Sequence, residues 1–513
     1  MFANVTSAAI IGIGSYLVQV EVNANSGLPC FTMVGLLSPE VKEAAERVRV
    51  ALKNVGLSLP PLHITVNLSP AHLRKEGTAF DLPIAVGLLI ATGSIKREAT
   101  EKMLIVGELG LDGAIKKTSG VLPIIREAVN NNYERFLVPL DNLDEAKMIS
   151  KAKVYGAGTI QEVIELLKGD LSAFVRKKCG RKKAPPDELS EGADDLDFSD
   201  IAGQEQAKKA AVISAAGFHN LLLIGPPGTG KTMIARRIPT ILPPLTEEES
   251  LEVSSIYSIA GMLNKKQAII RKRPFLNPHY SISAQGLAGG GRIPRPGVVS
   301  LSHRGVLFMD ELPECNRAVI EILRQPIEDK KVNIARASGS FTYPADFIFL
   351  GAMNPCPCGY FPDQNKCNCS EKEVTRYLNR ISGPILDRID ICTEVARTSV
   401  TALNQVKSGS SSEEMRRQVE MARQIQKERY KNYPYDANAD ILVKDIANFC
   451  CLNTSETLLM AEIYETMNLS LRAYHRILKV ARTIADLSGS EKIGEPHLLE
   501  AVHFRLSDGR YYK

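Results

Sequence analysis

The sequence predicts a mixed α/β protein, two α/β units in series closed by an all-helical end. Three observations predict it. Strand-like and helical runs alternate before residue 173, a strand–loop–helix unit opens at Leu221, and beyond about residue 396 strand-like runs cease. A chain of 513 residues exceeds one domain and, at about 150 residues each, suggests roughly three units. Charged residues at 24% and the AVILMFWYC set at 44% exclude a wholly disordered or collagen-like chain. The net charge of +5 permits nucleic-acid binding without demanding it, because the distribution of charge decides.

Residues 1–20 carry no charged side chain, yet they lack a basic leader, and Asn4, Ser7, Gly12, Gly14, Ser15 and Gln19 interrupt the apolar residues. Leu17–Val22 (LVQVEV) alternates as a half-buried strand does, and LHITVNL and MLIVGEL read as further strands. EVKEAAERVRVALKNVG and LPIIREAVNN have helical spacing. The apolar run Leu82–Ile95 spans 14 residues, too short for a bilayer, so a soluble, cytoplasmic protein with no membrane partner is expected. RKKCGRKK at 176–183, then Ala184–Pro186 and the acidic DELSEGADDLD, read as a solvated linker, with a DNA-touching basic arm as the alternative. The expected division is 1–172, a linker at 173–198, a nucleotide-binding core at 199–395 and a helical end at 396–513.

Gly225, Pro226, Pro227, Gly228, Thr229, Gly230, Lys231 and Thr232 spell GPPGTGKT, matching G-x-x-x-x-G-K-[ST] after the apolar strand Leu221–Ile224 and before a helical run. Glycines let backbone N–H groups turn inward around a β-phosphate at a helix N-terminus. Lys231 is placed to neutralise β/γ oxygens, and the Thr232 hydroxyl to ligate Mg²⁺ of a bound ATP. The partner strand is GVLFMDE, Gly305–Glu311. Asp310 would hold the Mg²⁺, and Glu311 would orient the attacking water. A third strand, Phe347–Ala352, leads through Met353 to Asn354, a polar residue where a γ-phosphate could be touched.

These segments resemble the AAA+ ATPases, and within them the magnesium-chelatase-like ComM/YifB family. The words carrying the resemblance are FSDIAGQEQAKKA, RPFLNPHYSIS, GGGRIPRPGVVSLSHRGVLFMDEL, AMNPCPCGY, RISGPILDRIDI and LSLRAYHRILKVARTIADL. It covers essentially the whole chain and implies an AAA+ core with a helical lid. By the same resemblance Asn354 is the sensor-1 residue, Arg388 the arginine finger reaching a neighbouring subunit's ATP, and Arg472 the sensor-2 arginine. Arg380 and Arg476 compete for those roles, and an ordinary salt bridge is the bland reading of each. SAQGLAGGGRIPRPG is expected to be a mobile pore-side loop, too rich in Gly and Pro for a regular element. KKVNIARASGSFTYPA is expected to be a β-hairpin whose Lys330, Lys331 and Arg336 face DNA, with an ordinary surface hairpin as the alternative. The implied activity is an ATPase in a homo-hexameric ring, moving on single-stranded and branched DNA as a helicase or branch-migration motor in natural transformation and recombination. The rival is a magnesium-chelatase-like motor subunit acting on a protein partner.

The amino-terminal words RKEGTAFDLPIAVGLL and VGELGLDGAIKKTSGVLPIIREA resemble the Lon protease domain. Aligned on that pattern, Ala79 stands where the nucleophilic serine belongs and Leu122 where the lysine belongs, so peptide hydrolysis is disfavoured and Thr78 lacks a base. Cys356, Cys358, Cys367 and Cys369 form C-x-C-x8-C-x-C, four thiols able to wrap a Zn²⁺, though the spacing is tighter than a C-x₂-C knuckle. Unliganded cytosolic thiols are the alternative.

Overall fold

Alternating apolar residues build the amino-terminal sheet. In the computed structural model, which describes residues 1–57, 59–169, 196–263, 268–291, 294–336, 339–363, 365–397 and 410–511, nine strands precede the linker: β1 (Phe2–Ile11), β2 (Gly14–Ser26), β3 (Cys30–Val34), β4 (Leu62–Ser69), β5 (Met103–Ile105), β6 (Glu108–Leu109), β7 (Ile115–Lys116), β8 (Arg135–Pro139) and β9 (Lys153–Ala157). Seven form one sheet in the order β3-β4-β2-β1-β5-β8-β9, and β6 pairs with β7. Val18, Val20 and Val22 are fully buried, which is the period-two pattern read from LVQVEV. The apolar run from Leu82 becomes the helix Asp81–Ala91, buried along its whole length against the sheet. It packs closely because Gly87 has no Cβ, which would lie 2.6 Å from Val22.

Two expected elements are divided. EVKEAAERVRVALKNVG forms the helices Pro39–Lys42 and Ala44–Asn54, broken at Glu43. MLIVGEL divides into β5 and β6, because Gly107 turns aside to bond Ala79 and Leu82.

The described residues continue at Leu196. Asp197 and Phe198, placed in the linker by composition, belong to the core: Phe198 is fully buried and Asp197 accepts from the Ser412 amide at 3.1 Å. The rest of the linker lies outside the described residues. The second unit contains β10 (Leu221–Ile224), β11 (Phe275–Leu276), β12 (Gly289–Gly290), β13 (Arg295–Pro296), β14 (Val306–Met309), β15 (Lys331–Arg336), β16 (Gly339–Pro344), β17 (Ile348–Met353) and β18 (Ile391–Glu394). Its main sheet runs β11-β14-β17-β10-β18, and every pairing is parallel. β10, β14 and β17 are buried along their whole length, as strands covered on both faces must be.

The expected hairpin forms, with Lys331 opposite Pro344 and Arg336 opposite Gly339. The glycine-rich stretch is not wholly irregular, as its composition suggested. It holds the short helix Ala284–Ala288 and the β12–β13 pair. Gly289 at φ +98 permits this, where a Cβ would sit 2.4 Å from the Arg295 carbonyl.

The helical end comprises chiefly Ser412–Arg429, Thr454–Thr466, Leu471–Leu487 and Glu495–Tyr511. Met415, Val419, Ile477 and Leu498 join one apolar cluster with Leu221 and Ile234. The amino-terminal unit rests on the helix Glu247–Ala260. There the Gly120 amide donates to the Ser258 carbonyl at 3.0 Å, and buried Glu145 accepts from both the Ser258 hydroxyl and the Leu122 amide. Among the described residues no helix is long and apolar enough to cross a membrane.

Candidate functional site

Parallel strands end together at one edge of the sheet, and in open α/β sheets ligands bind outside that edge. β10, β17 and β14 are neighbours there. The chain leaves β10 at Gly225, where a Cβ would lie 2.3 Å from the Val395 carbonyl. It then turns through Gly228 (φ +75) and Gly230 (φ +91), positions open only to a residue without a side chain at low cost. Helix Lys231–Ile241 follows directly.

Three strand ends contribute one connected set of side chains. Lys231 Nζ donates to the carbonyls of Gly225 at 2.7 Å and Pro226 at 2.9 Å, and to Asn354 Oδ1 at 3.1 Å. Burial lowers the Lys231 pKa from its ordinary value, while Asp310 and Glu311 oppose that shift. Thr232 Oγ1 donates to Asp310 Oδ2 at 2.8 Å. Glu311 is exposed and held at φ +48, a left-handed conformation that costs an ordinary residue about 1–2 kcal/mol. Lys231, Thr232, Asp310 and Asn354, chosen from separate parts of the sequence, thus meet at one edge. Their chemistry suits a polyphosphate with a divalent cation: a glycine loop, a buried ammonium, and a hydroxyl beside a carboxylate.

Arg388 and Arg472 do not join this cluster within their own chain. Both guanidiniums reach Glu328: Arg388 Nη2 contacts one carboxylate oxygen, and Arg472 Nη2 lies 3.1 Å from the other. Arg388 therefore does not pair with Asp387 or Asp390. Its rivals are engaged elsewhere. Arg476 binds buried Asp390 and the Arg388 carbonyl, and Arg380 lies 2.7 Å from Glu314. Burial disfavours charge on Asp390, but Arg476 and His219 outweigh it and hold the carboxyl below the usual range. Glu328 carries no signal in the sequence, being one acid in a short helix, Arg324–Asp329.

The hairpin cations divide as well. Lys330 is paired, contacting Asp346 at 3.0 Å and Asp440 of the helical end, and so is not free to face a ligand. Its position in a left-handed helix cap at φ +56 turns it inward, which the hairpin spacing could not reveal. Lys331 and Arg336 are exposed.

Cys356, Cys358, Cys367 and Cys369 converge, their sulfurs within 4.8 Å of one another. Separations of 3.3, 3.5 and 3.8 Å among Cys356, Cys358 and Cys367 compare with about 3.8 Å between thiolates of a tetrahedral Zn²⁺ at Zn–S distances of about 2.3 Å. The amides of Gly359 and Phe361 donate to Cys356 Sγ at 3.2 and 3.4 Å, as outer-shell groups do around a thiolate. The loop also leans on the phosphate loop: a Cβ on Gly359 would lie 2.5 Å from Pro227.

In the amino-terminal unit, Leu122 is fully buried and Ala79 offers no nucleophile. Thr78 donates to Glu108. The nearby buried Lys75 spends its donors on the carbonyls of Pro70 and Leu73.

Comparison with known proteins agrees along the chain. Family models for the magnesium chelatase subunit ChlI match residues 197–403 and 20–142, and its C-terminal model matches 409–505. Competence protein ComM of Haemophilus influenzae is 42% identical over 508 residues, covering 98% of this chain and 97% of the relative. YifB of Escherichia coli K12 is 41% identical over 505 residues, covering 98% and 97%. The magnesium-chelatase 38 kDa subunit of Rhodobacter capsulatus is 25% identical over 329 residues, covering 60% and 86%. With this likeness over nearly its full length and a P-loop α/β core followed by helices, the chain belongs to the magnesium-chelatase-like AAA+ family that includes ComM and YifB.

Proposed function

We propose that this protein is a ring-forming ATPase, a homo-hexamer that hydrolyses ATP with Mg²⁺ to move on DNA as a branch-migration or helicase motor in the cytoplasm. The observation that carries the ATPase is the convergence of Lys231 on Asn354 and of Thr232 on Asp310 across three strand ends. The phosphate loop from Gly225 to Thr232 binds the triphosphate, Thr232 and Asp310 hold Mg²⁺, and Asn354 and Glu311 orient the water that attacks the γ-phosphate. Mg²⁺ supplies charge neutralisation on the β/γ oxygens. Arg388 and Arg472 act at the edge shared with the next protomer.

The DNA reading is supported by the likeness to ComM, whose name links that relative to competence, and by exposed Lys331 and Arg336 on the hairpin. ATPase activity measured with single-stranded, duplex and four-way-junction DNA tests it. Stimulation by a chelatase partner protein, with none by DNA, would replace it with the chelatase-motor reading that the Rhodobacter relative suggests. Because the available contacts are cations and not a base-reading module, DNA affinity is expected to fall steeply with salt and to vary little with sequence. Affinity unchanged between 50 and about 200 mM salt would contradict it.

The cysteine loop fits Zn²⁺ by donor type, convergence and amide support. One Zn²⁺ per chain is expected on elemental analysis, lost when Cys356 and Cys367 are both replaced by serine. Because Gly359 leans on Pro227, the same change should also weaken ATP binding. Fully active, metal-free protein prepared without chelators would favour the unliganded thiols.

A further inference from the structure

Two arginines from different parts of the chain meet on one carboxylate. Arg388 follows the helix Gly383–Leu386 of the core, Arg472 opens the helix Leu471–Leu487 of the helical end, and Glu328 lies between them. Like charges brought this close repel unless an anion sits between them. We propose that Glu328 is a positioning residue, holding Arg388 and Arg472 together as a paired cation for a neighbouring protomer's γ-phosphate. The inference rests on the reading that these arginines act across the subunit edge.

The geometry suits positioning better than folding stability. Glu328 is 45% exposed and Arg472 56%, and ion pairs so open to water stabilise a fold little. Arg388 is more enclosed, at 12% exposed, and donates through Nη1 to the Pro384 carbonyl at 2.7 Å. Its backbone is held independently, because its carbonyl accepts from Asn220 Nδ2 and from Arg476. Only the guanidinium therefore depends on Glu328. Arg388 Nε is buried with no hydrogen-bond partner, so this guanidinium is not fully satisfied by Glu328 and Pro384. Arg472, on the exposed side, has room to meet an approaching phosphate while its other edge stays on the carboxylate.

Steady-state ATPase assays on the assembled full-length protein test this. Glu328→Gln removes the charge at constant size. It is expected to lower kcat about tenfold while leaving KM for ATP, ATP affinity and ring assembly within twofold of wild type. Glu328→Asp should recover a large part of that loss, since it restores the anion. A residue of purely structural importance would instead lower thermal stability or assembly, and the carboxylate would not be specifically required. Wild-type kcat in Glu328→Gln, alongside severe losses in Arg388→Ala and Arg472→Ala, would overturn the role of Glu328 and leave the arginine reading standing. A raised kcat would also overturn it, since the carboxylate would then be restraining the arginines. If Arg388→Ala and Arg472→Ala both turn over normally, the arginine reading itself fails and this inference goes with it.

Discussion

Glu311→Gln is expected to bind ATP with wild-type affinity and to lose about 10²-fold or more in turnover, the range that a positioned general base contributes. The amide keeps the size of the side chain but no longer accepts the proton of the attacking water. The hydrogen bonds of the phosphate loop are kept, because Lys231 donates to Gly225, Pro226 and Asn354, and only the through-space pull of Glu311 on Lys231 is lost. Lys231→Ala should behave differently. It removes the buried ammonium proposed to neutralise the β/γ oxygens, so binding itself should disappear. Equilibrium binding of a fluorescent ATP analogue, paired with phosphate release, separates the two effects. Turnover at the wild-type rate in Glu311→Gln would show that the water is oriented by another group.

Arg388→Ala is expected to lower hydrolysis about 10³-fold, the scale at which an arginine supplied in trans stabilises charge on a transferring phosphoryl group. The residue lies away from its own Lys231 cluster and on the Glu328 carboxylate, as a group serving the next protomer would. Rings mixed from Arg388→Ala and Lys231→Ala subunits should therefore regain hydrolysis wherever an intact phosphate loop meets an intact Arg388. Absence of recovery, with co-assembly demonstrated, would assign Arg388 to its own chain or to no catalytic role.

Much of the P-loop core was legible because its chemistry is local. GPPGTGKT needs glycines at fixed offsets, and the positive φ at Gly228 and Gly230 is where those offsets fall. The strands β10, β14 and β17 could be read because burial on both faces demands unbroken apolar runs. The helix and strand pair inside the glycine-rich stretch escape composition for the same local reason. Composition reports the entropy that glycine brings to a segment, but not the neighbouring backbone against which Gly289 packs.

The order of units, the phosphate loop and its helix, the acidic strand end at Asp310 and Glu311, and the cysteine spacing can all be read along the chain. Each depends on residues adjacent in the chain, or on a periodicity that one segment carries alone. Which distant groups pair their charges is set by packing in three dimensions. It removed Lys330 from the exposed hairpin cations by pairing it with Asp346 and Asp440, and it tied Arg476 to Asp390. It brought four sulfurs to one point beside the phosphate loop. It also joined Arg388 and Arg472 through Glu328, residues 60 and 144 positions from that acid. The difference is one of range. Backbone conformation answers mainly to near neighbours in sequence, whereas an ion pair or a cysteine cluster answers to distance in space, which the packing of separate elements sets.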